Sequence, residues 1–155
     1  MTGVDQVIKT VHAMEILPNY AVLEVGTGTG YQAALIARLA KKVVTIDRYR
    51  TLTDKAKRRF EHLNIENIVA QQADGQDGIG EQRLFDRIVV NGSFAGFPRQ
   101  YLDHLTSGGV MITAIGEPAE VQMLARLTKI GSRFDRVDLF PVRMAPLRTG
   151  IAEFL

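Results

Sequence analysis

Apolar positions along the chain follow two different periods. From Val4 to Ile16 they fall at Val4, Val7, Ile8, Val11 and Met14, one face of a helix, with Asp5 and Lys9 on the other. Pro18 and Asn19 end that segment. Ala21 to Val25 and Val43 to Ile46 are short, nearly unbroken apolar runs, the second closed by Asp47. Such runs suit strands covered on both faces. Gln32 to Ala40, rich in alanine and leucine, predicts a helix between them. Leu52 to Leu63 predicts another, with Lys55, Lys57, Arg58 and Arg59 on its polar face. Asn67 to Ala73 and Phe85 to Val90 read as the third and fourth strands. The turn Asp74-Gly75-Gln76-Asp77-Gly78 separates them, and Asn91-Gly92 ends the fourth.

Pro98 to Leu105 predicts a short helix, Ser107-Gly108-Gly109 a turn, and Val110 to Ile115 a fifth strand. After Gly116 both periods fit. Val121 to Ile130 has helix propensity, yet Val121, Met123, Ala125 and Leu127 alternate as a strand does. Arg133 to Val142 alternates again beyond the turn Gly131-Ser132, so the pair is read as a C-terminal hairpin. Met144 to Leu155 carries no assignment. Strands alternating with helices predict an α/β fold: a doubly wound, mostly parallel, Rossmann-like sheet ending in an antiparallel hairpin. A length of 155 residues predicts one domain, 1–155.

Composition narrows the chemistry. The hydrophobic share is 46% and the charged share 23%, both ordinary for a globular domain. A net charge of only +2 gives no electrostatic case for nucleic acid. The basic run Lys55 to Arg59 has no interleaved aromatic residues on which bases would stack. There is no cysteine, hence no thiol catalysis and no thiolate metal site. His12, His62 and His104 lie apart, without metal-ligand spacing. No apolar stretch is long enough for a bilayer, and Met1 to Val11 lacks a signal-peptide layout, so a cytoplasmic location is expected. Neither a G-x-S-x-G elbow nor a G-x-x-x-x-G-K-[ST] loop is present.

One stretch carries the chemistry. Glu24-Val25-Gly26-Thr27-Gly28-Thr29-Gly30 joins the first strand to the first crossover helix. Glycines there allow a sharp turn and a close ligand approach. A dinucleotide fingerprint would require a third glycine at Tyr31. The spacing is instead G-x-G-x-G, with Glu24 two residues ahead, the form used by S-adenosylmethionine-dependent methyltransferases. Asp47 ends the second strand, 21 positions after Gly26, where an acid can accept hydrogen bonds from both ribose hydroxyls. Asp74 and Gly75 follow the third strand and would face the same crevice, where an adenine amino group could be read. Asn91 ends the fourth strand, close to where the methyl group would lie. Glu24 would bind the amino-acid end of the cofactor or fix the loop. Gly26, Gly28, Gly30, Thr27 and Arg48 complete the expected cofactor set.

Val22 to Ala37, with Gly30-Tyr31-Gln32-Ala33-Ala34, resembles the first motif of protein-L-isoaspartate O-methyltransferases. The resemblance continues through Asp47, Asp74-Gly75, Phe85 to Val90, Leu102 to Leu105, Gly108 to Ile112 and Phe140-Pro141-Val142. It implies a class I methyltransferase fold and S-adenosylmethionine as cofactor. The reaction implied is methylation of the α-carboxylate of isoaspartyl residues in damaged proteins. Such a carboxylate is ionised near neutral pH and needs no general base. The family normally begins with a further N-terminal segment that helps hold the peptide. It also carries a Thr-Ile-Ser-Gln-Pro-like stretch whose serine lies at the active site. Counting back from Gly26 puts Thr2 on that serine, and Thr2 is the catalytic candidate. The chain alone is expected to bind cofactor well and to methylate isoaspartyl peptides weakly or not at all. The alternatives are a methyltransferase of this fold acting on RNA or a small molecule, and a cofactor-binding domain without transfer activity.

Overall fold

The computed structural model describes residues 3–76 and 83–154. Its centre is one seven-stranded sheet in the order β3-β2-β1-β4-β5-β6-β7. The strands are β1 (Ala21–Val25), β2 (Lys42–Asp47), β3 (Ile68–Gln72), β4 (Phe85–Phe94), β5 (Leu105–Ile115), β6 (Gln122–Ile130) and β7 (Arg133–Val142). The first five run parallel, whereas β6 is antiparallel to both β5 and β7. The alternation Val121-Met123-Ala125-Leu127 therefore prevails over helix propensity. Leu124, Ala125 and Leu127 are buried by sheet pairing on both edges of β6.

Three helices, α1 (Val4–Ala13), α2 (Tyr31–Ala37) and α3 (Arg50–His62), pack on one face of the sheet. Val7, Val11, Ile36 and Phe60 meet Val22, Val43, Val89 and Ile112 there. The other face, with Leu23, Val44, Ile46, Ile88 and Met111, is covered by Tyr101, Leu105 and Leu147. Tyr101 belongs to a 3-10 helix, Arg99–His104, where the sequence predicts a short helix. Fully buried leucine and isoleucine side chains such as Leu23 and Ile36 contribute about 1.5–3 kcal/mol each.

Registers place the ends of three strands side by side. Val25 lies opposite both Ile46 and Val90. The residues that follow, Gly26, Asp47 and Asn91, therefore meet at the carboxyl edge, where crevices form in open parallel sheets.

Several boundaries differ from the sequence reading. Helix α1 stops at Ala13 instead of Ile16, and Glu15 takes a positive φ of +47°. The chain turns there because buried Arg87 on β4 collects its carbonyls. Arg87 Nε donates to Met14 O, Nη2 donates to Glu15 O at 3.3 Å, and the guanidinium lies 4.5 Å from the Tyr20 ring. Strand β4 does not end at Val90 but continues to Phe94, because Ser93 and Phe94 pair with Ala114 and Ile115 of β5 on one edge and the C-terminal tail supplies partners on the other. Ser93 N–H donates to Ala145 O (3.0 Å), and Leu147 N–H donates to Ser93 O (3.2 Å). Ser107-Gly108-Gly109 is a bulge inside β5, with Gly108 at φ +74°, and not a separate turn. The tail then crosses the carboxyl edge and bridges Ala152 to Tyr49. Asp77 and Gly78 of the predicted turn lie outside the described residues. No described helix is long and apolar enough to cross a membrane.

Candidate functional site

Glu24 is the deepest polar group of the crevice. It sits on the central strand β1 and is 0% exposed. Thr45 Oγ1 donates to its Oε2 at 2.6 Å, and the Thr27 hydroxyl lies 2.7 Å from the Thr45 hydroxyl. Asn91 Nδ2 lies 3.4 Å from Glu24 Oε1 and donates to Gly26 O at 3.0 Å. Burial pushes the Glu24 carboxyl up to about 8. The bonds from Thr45 and Asn91 oppose that rise, and the negative charge of Asp47 adds to it. Glu24 is thus mostly protonated at pH 7.

Asp47 is 8% exposed and ties the glycine loop to β2. Gly28 N–H donates to its Oδ2 and Tyr49 N–H to its Oδ1, both at 3.0 Å. A carboxylate offers about four acceptor sites, so two bonds leave capacity for ribose hydroxyls. The loop is also held from β2 by Gly26 and Thr27, whose N–H groups donate to Ile46 O at 2.8 and 3.1 Å.

Two glycines have distinct reasons to be glycine. At Gly30 (φ +82°) a Cβ would stand 2.9 Å from the Phe60 ring, so α2 and α3 could not pack as closely. At Gly28 (φ +51°) a Cβ would meet nothing within 4 Å. The space above Gly28 belongs to a cavity of about 430 Å³ walled by Glu24, Asp47, Asn91 and the loop. Val4 and Val7 of α1 and Tyr31 and Gln32 of α2 line it as well.

The sequence reading missed those four residues. Val4 and Val7 read as ordinary core of an amphipathic helix. Gln32 carried a usable signal, being polar on the buried side of α2 beside Ala33 and Ile36.

Of the expected cofactor residues, Glu24, Gly26, Thr27, Gly28, Asp47 and Asn91 line the large cavity. Gly30 lies behind it, against α3. Arg48 and Gly75 line a second slot of about 60 Å³, which shares Gly26 and Asp47 with the first and is capped by Leu147 and Arg148. Asp74 Oδ1 accepts from Gln76 N–H at 2.8 Å, and its Oδ2 accepts from Gly150 N–H of the tail. Thr2 lies outside the described residues.

The donor set suits an adenosyl amino acid. Two buried donors in these walls, Gln32 Nε2 and Arg48 Nε, have no hydrogen-bond partner among the described residues. Buried polar atoms are seldom left so.

The protein-family model described as protein-L-isoaspartate(D-aspartate) O-methyltransferase matches residues 4–151. The chain belongs to that family. A protein-L-isoaspartate O-methyltransferase of Rhizobium meliloti is 39% identical over all of this chain and 76% of its own length. One from Azorhizobium caulinodans is 43% identical over 92% of this chain and 66% of its own length. A solved protein-L-isoaspartate O-methyltransferase superposes with a TM-score of 0.82 at 26% identity, covering 91% of this chain and 46% of its own. A Plasmodium falciparum structure described as a β-aspartate methyltransferase in complex with S-adenosyl-L-homocysteine superposes with a TM-score of 0.74. It is 22% identical, covers 92% of this chain and 71% of its own, and attests the fold. The seven-stranded sheet with antiparallel C-terminal strands is thus the fold of this methyltransferase family.

Proposed function

We propose that this chain methylates the free carboxylate of isoaspartyl residues in peptides or proteins, with S-adenosylmethionine as donor. One observation supports the reading above others: Glu24 and Asp47 flank an open glycine loop, in a chain that matches the family model over residues 4–151. Asp47 would hold the ribose hydroxyls, with Gly28 N–H keeping its carboxylate turned toward the loop. Glu24 and Asn91 would face the amino-acid end. Arg48 and Gly75, which line the small slot beside Asp47, and the neighbouring Asp74 would face the purine. Thr2 is the proposed contact to the reacting carboxylate.

When bound, the cofactor supplies an already activated methyl group on a sulfonium. No proton has to leave the attacking carboxylate, so the absence of a placed histidine from the cavity wall is compatible with the reaction. What the residues contribute is position. Holding reactants in line can supply about 7–11 kcal/mol of the barrier in well-oriented systems. The loop is fixed for that purpose by Arg59 as well, whose Nη1 donates to Thr29 O at 3.0 Å.

The test is transfer of labelled methyl to an isoaspartyl peptide beside its aspartyl twin. Label on the isoaspartyl peptide alone is expected. Equal labelling of both peptides, or of neither, overturns the proposed substrate.

A further inference from the structure

Gln32 is the second residue of α2 and is 7% exposed, and its Nε2 has no hydrogen-bond partner among the described residues. A leucine or methionine would fill the same space without leaving a donor unpaired, which is costly in a buried position. The side chain borders the large cavity together with Glu24 and Asn91, with Val4, Val7 and Tyr31 beside it. The small slot shares Gly26 and Asp47 with that cavity but does not reach Gln32. Along the crevice the order is therefore slot, Asp47, then Gln32. With the ribose on Asp47 and the purine toward the slot, the Gln32 end is left for the methionyl group.

The chemistry of that end has two signs. An α-amino acid carries an ammonium, which only donates, and a carboxylate, which only accepts. Glu24 offers carboxyl oxygens at the floor of the cavity. Gln32 Nε2 offers a donor that lacks an acceptor. We propose that Gln32 is a cofactor-binding residue whose side-chain amide donates to the α-carboxylate of the methionyl end of S-adenosylmethionine. This rests on the cofactor reading above.

The test titrates the parent chain, Gln32→Glu and Gln32→Met with two probes in a calorimeter. S-adenosylhomocysteine has the amino-acid end, and 5′-methylthioadenosine lacks it while keeping the adenosine and the thioether. Gln32→Glu keeps the shape but turns an acceptor toward the carboxylate. Gln32→Met keeps the volume without a donor, and serves if the buried acid prevents folding.

The expected result is a loss of about ten- to hundredfold in affinity for S-adenosylhomocysteine, with affinity for 5′-methylthioadenosine unchanged. Equal losses for both probes would mean that Gln32 merely supports the loop, and would overturn the proposal. Unchanged affinity for both probes, with a raised KM for an isoaspartyl peptide, would assign the amide to the substrate carboxylate and also overturn it. A parent chain that binds neither probe removes the cofactor reading itself, a failure distinct from these.

Discussion

Replacing Glu24 by glutamine isolates the energetic burden of a buried acid. In the folded chain the carboxyl is pushed from its ordinary 4.5 to about 8, chiefly by burial at 0% exposure. In the unfolded chain it ionises near 4.5. Between those two values the folded state holds a proton that the unfolded state has released. Stability therefore falls as pH rises, by about 1.4 kcal/mol per pH unit. The whole window is worth about 5 kcal/mol, a large share of an ordinary folding free energy of about 5–15 kcal/mol. Glutamine keeps an acceptor for Thr45 Oγ1 and has nothing to titrate. The assay is urea unfolding of parent and Glu24→Gln at pH 5 and pH 8, followed by circular dichroism. The variant should gain about 4 kcal/mol on the parent between those two pH values. A gap that stays constant with pH would refute the reasoning, because the burial of Glu24 would then carry no proton with it.

Gly28→Val should abolish S-adenosylhomocysteine binding while the chain stays folded, since a Cβ there meets nothing within 4 Å. Its positive φ costs about 1–2 kcal/mol for a side chain, a fall in Tm of several degrees, and retained binding would contradict the assignment. Gly30→Val should instead lower Tm much further, because its Cβ would stand 2.9 Å from the Phe60 ring; equal Tm losses for the two variants would reverse the roles given to these glycines. Arg87→Met should release the end of α1 from Met14 O and Glu15 O and speed amide exchange in Val7 to Met14. Unchanged exchange there would show that α1 is held by its apolar face alone.

Much of the crevice at the carboxyl edge was legible because its parts are local. The strand Ala21–Val25, the three glycines and the acid closing β2 each announce themselves within a few residues. Their meeting at one edge follows from parallel pairing. What escaped the sequence depends on distant contacts. Val4 and Val7 have the same helical spacing whether they face a sheet or a cavity, so the pattern alone could not tell core from wall. The extension of β4 to Phe94 is set by Ala114 and Ile115 of β5 and by Ala145 and Leu147 of the tail, all distant in the chain. The same tail fixes the surroundings of Asp74, through Gly150, and caps the slot that holds Arg48 and Gly75. No local signal in Met144 to Leu155 specifies that path. The hairpin was ambiguous from propensity and was resolved by the pairing of β6 with β5 on one edge and β7 on the other, which buries Leu124, Ala125 and Leu127.

The central claim, that the crevice between the glycine loop and Asp47 holds S-adenosylmethionine, is tested most directly by calorimetric titration of S-adenosylhomocysteine into the parent chain and Asp47→Ala. The parent should bind one ligand per chain. The variant should bind about ten- to hundredfold more weakly, the effect of leaving ribose hydroxyls unpaired at about 1–3 kcal/mol. No binding by the parent, or equal binding by both, would contradict the account.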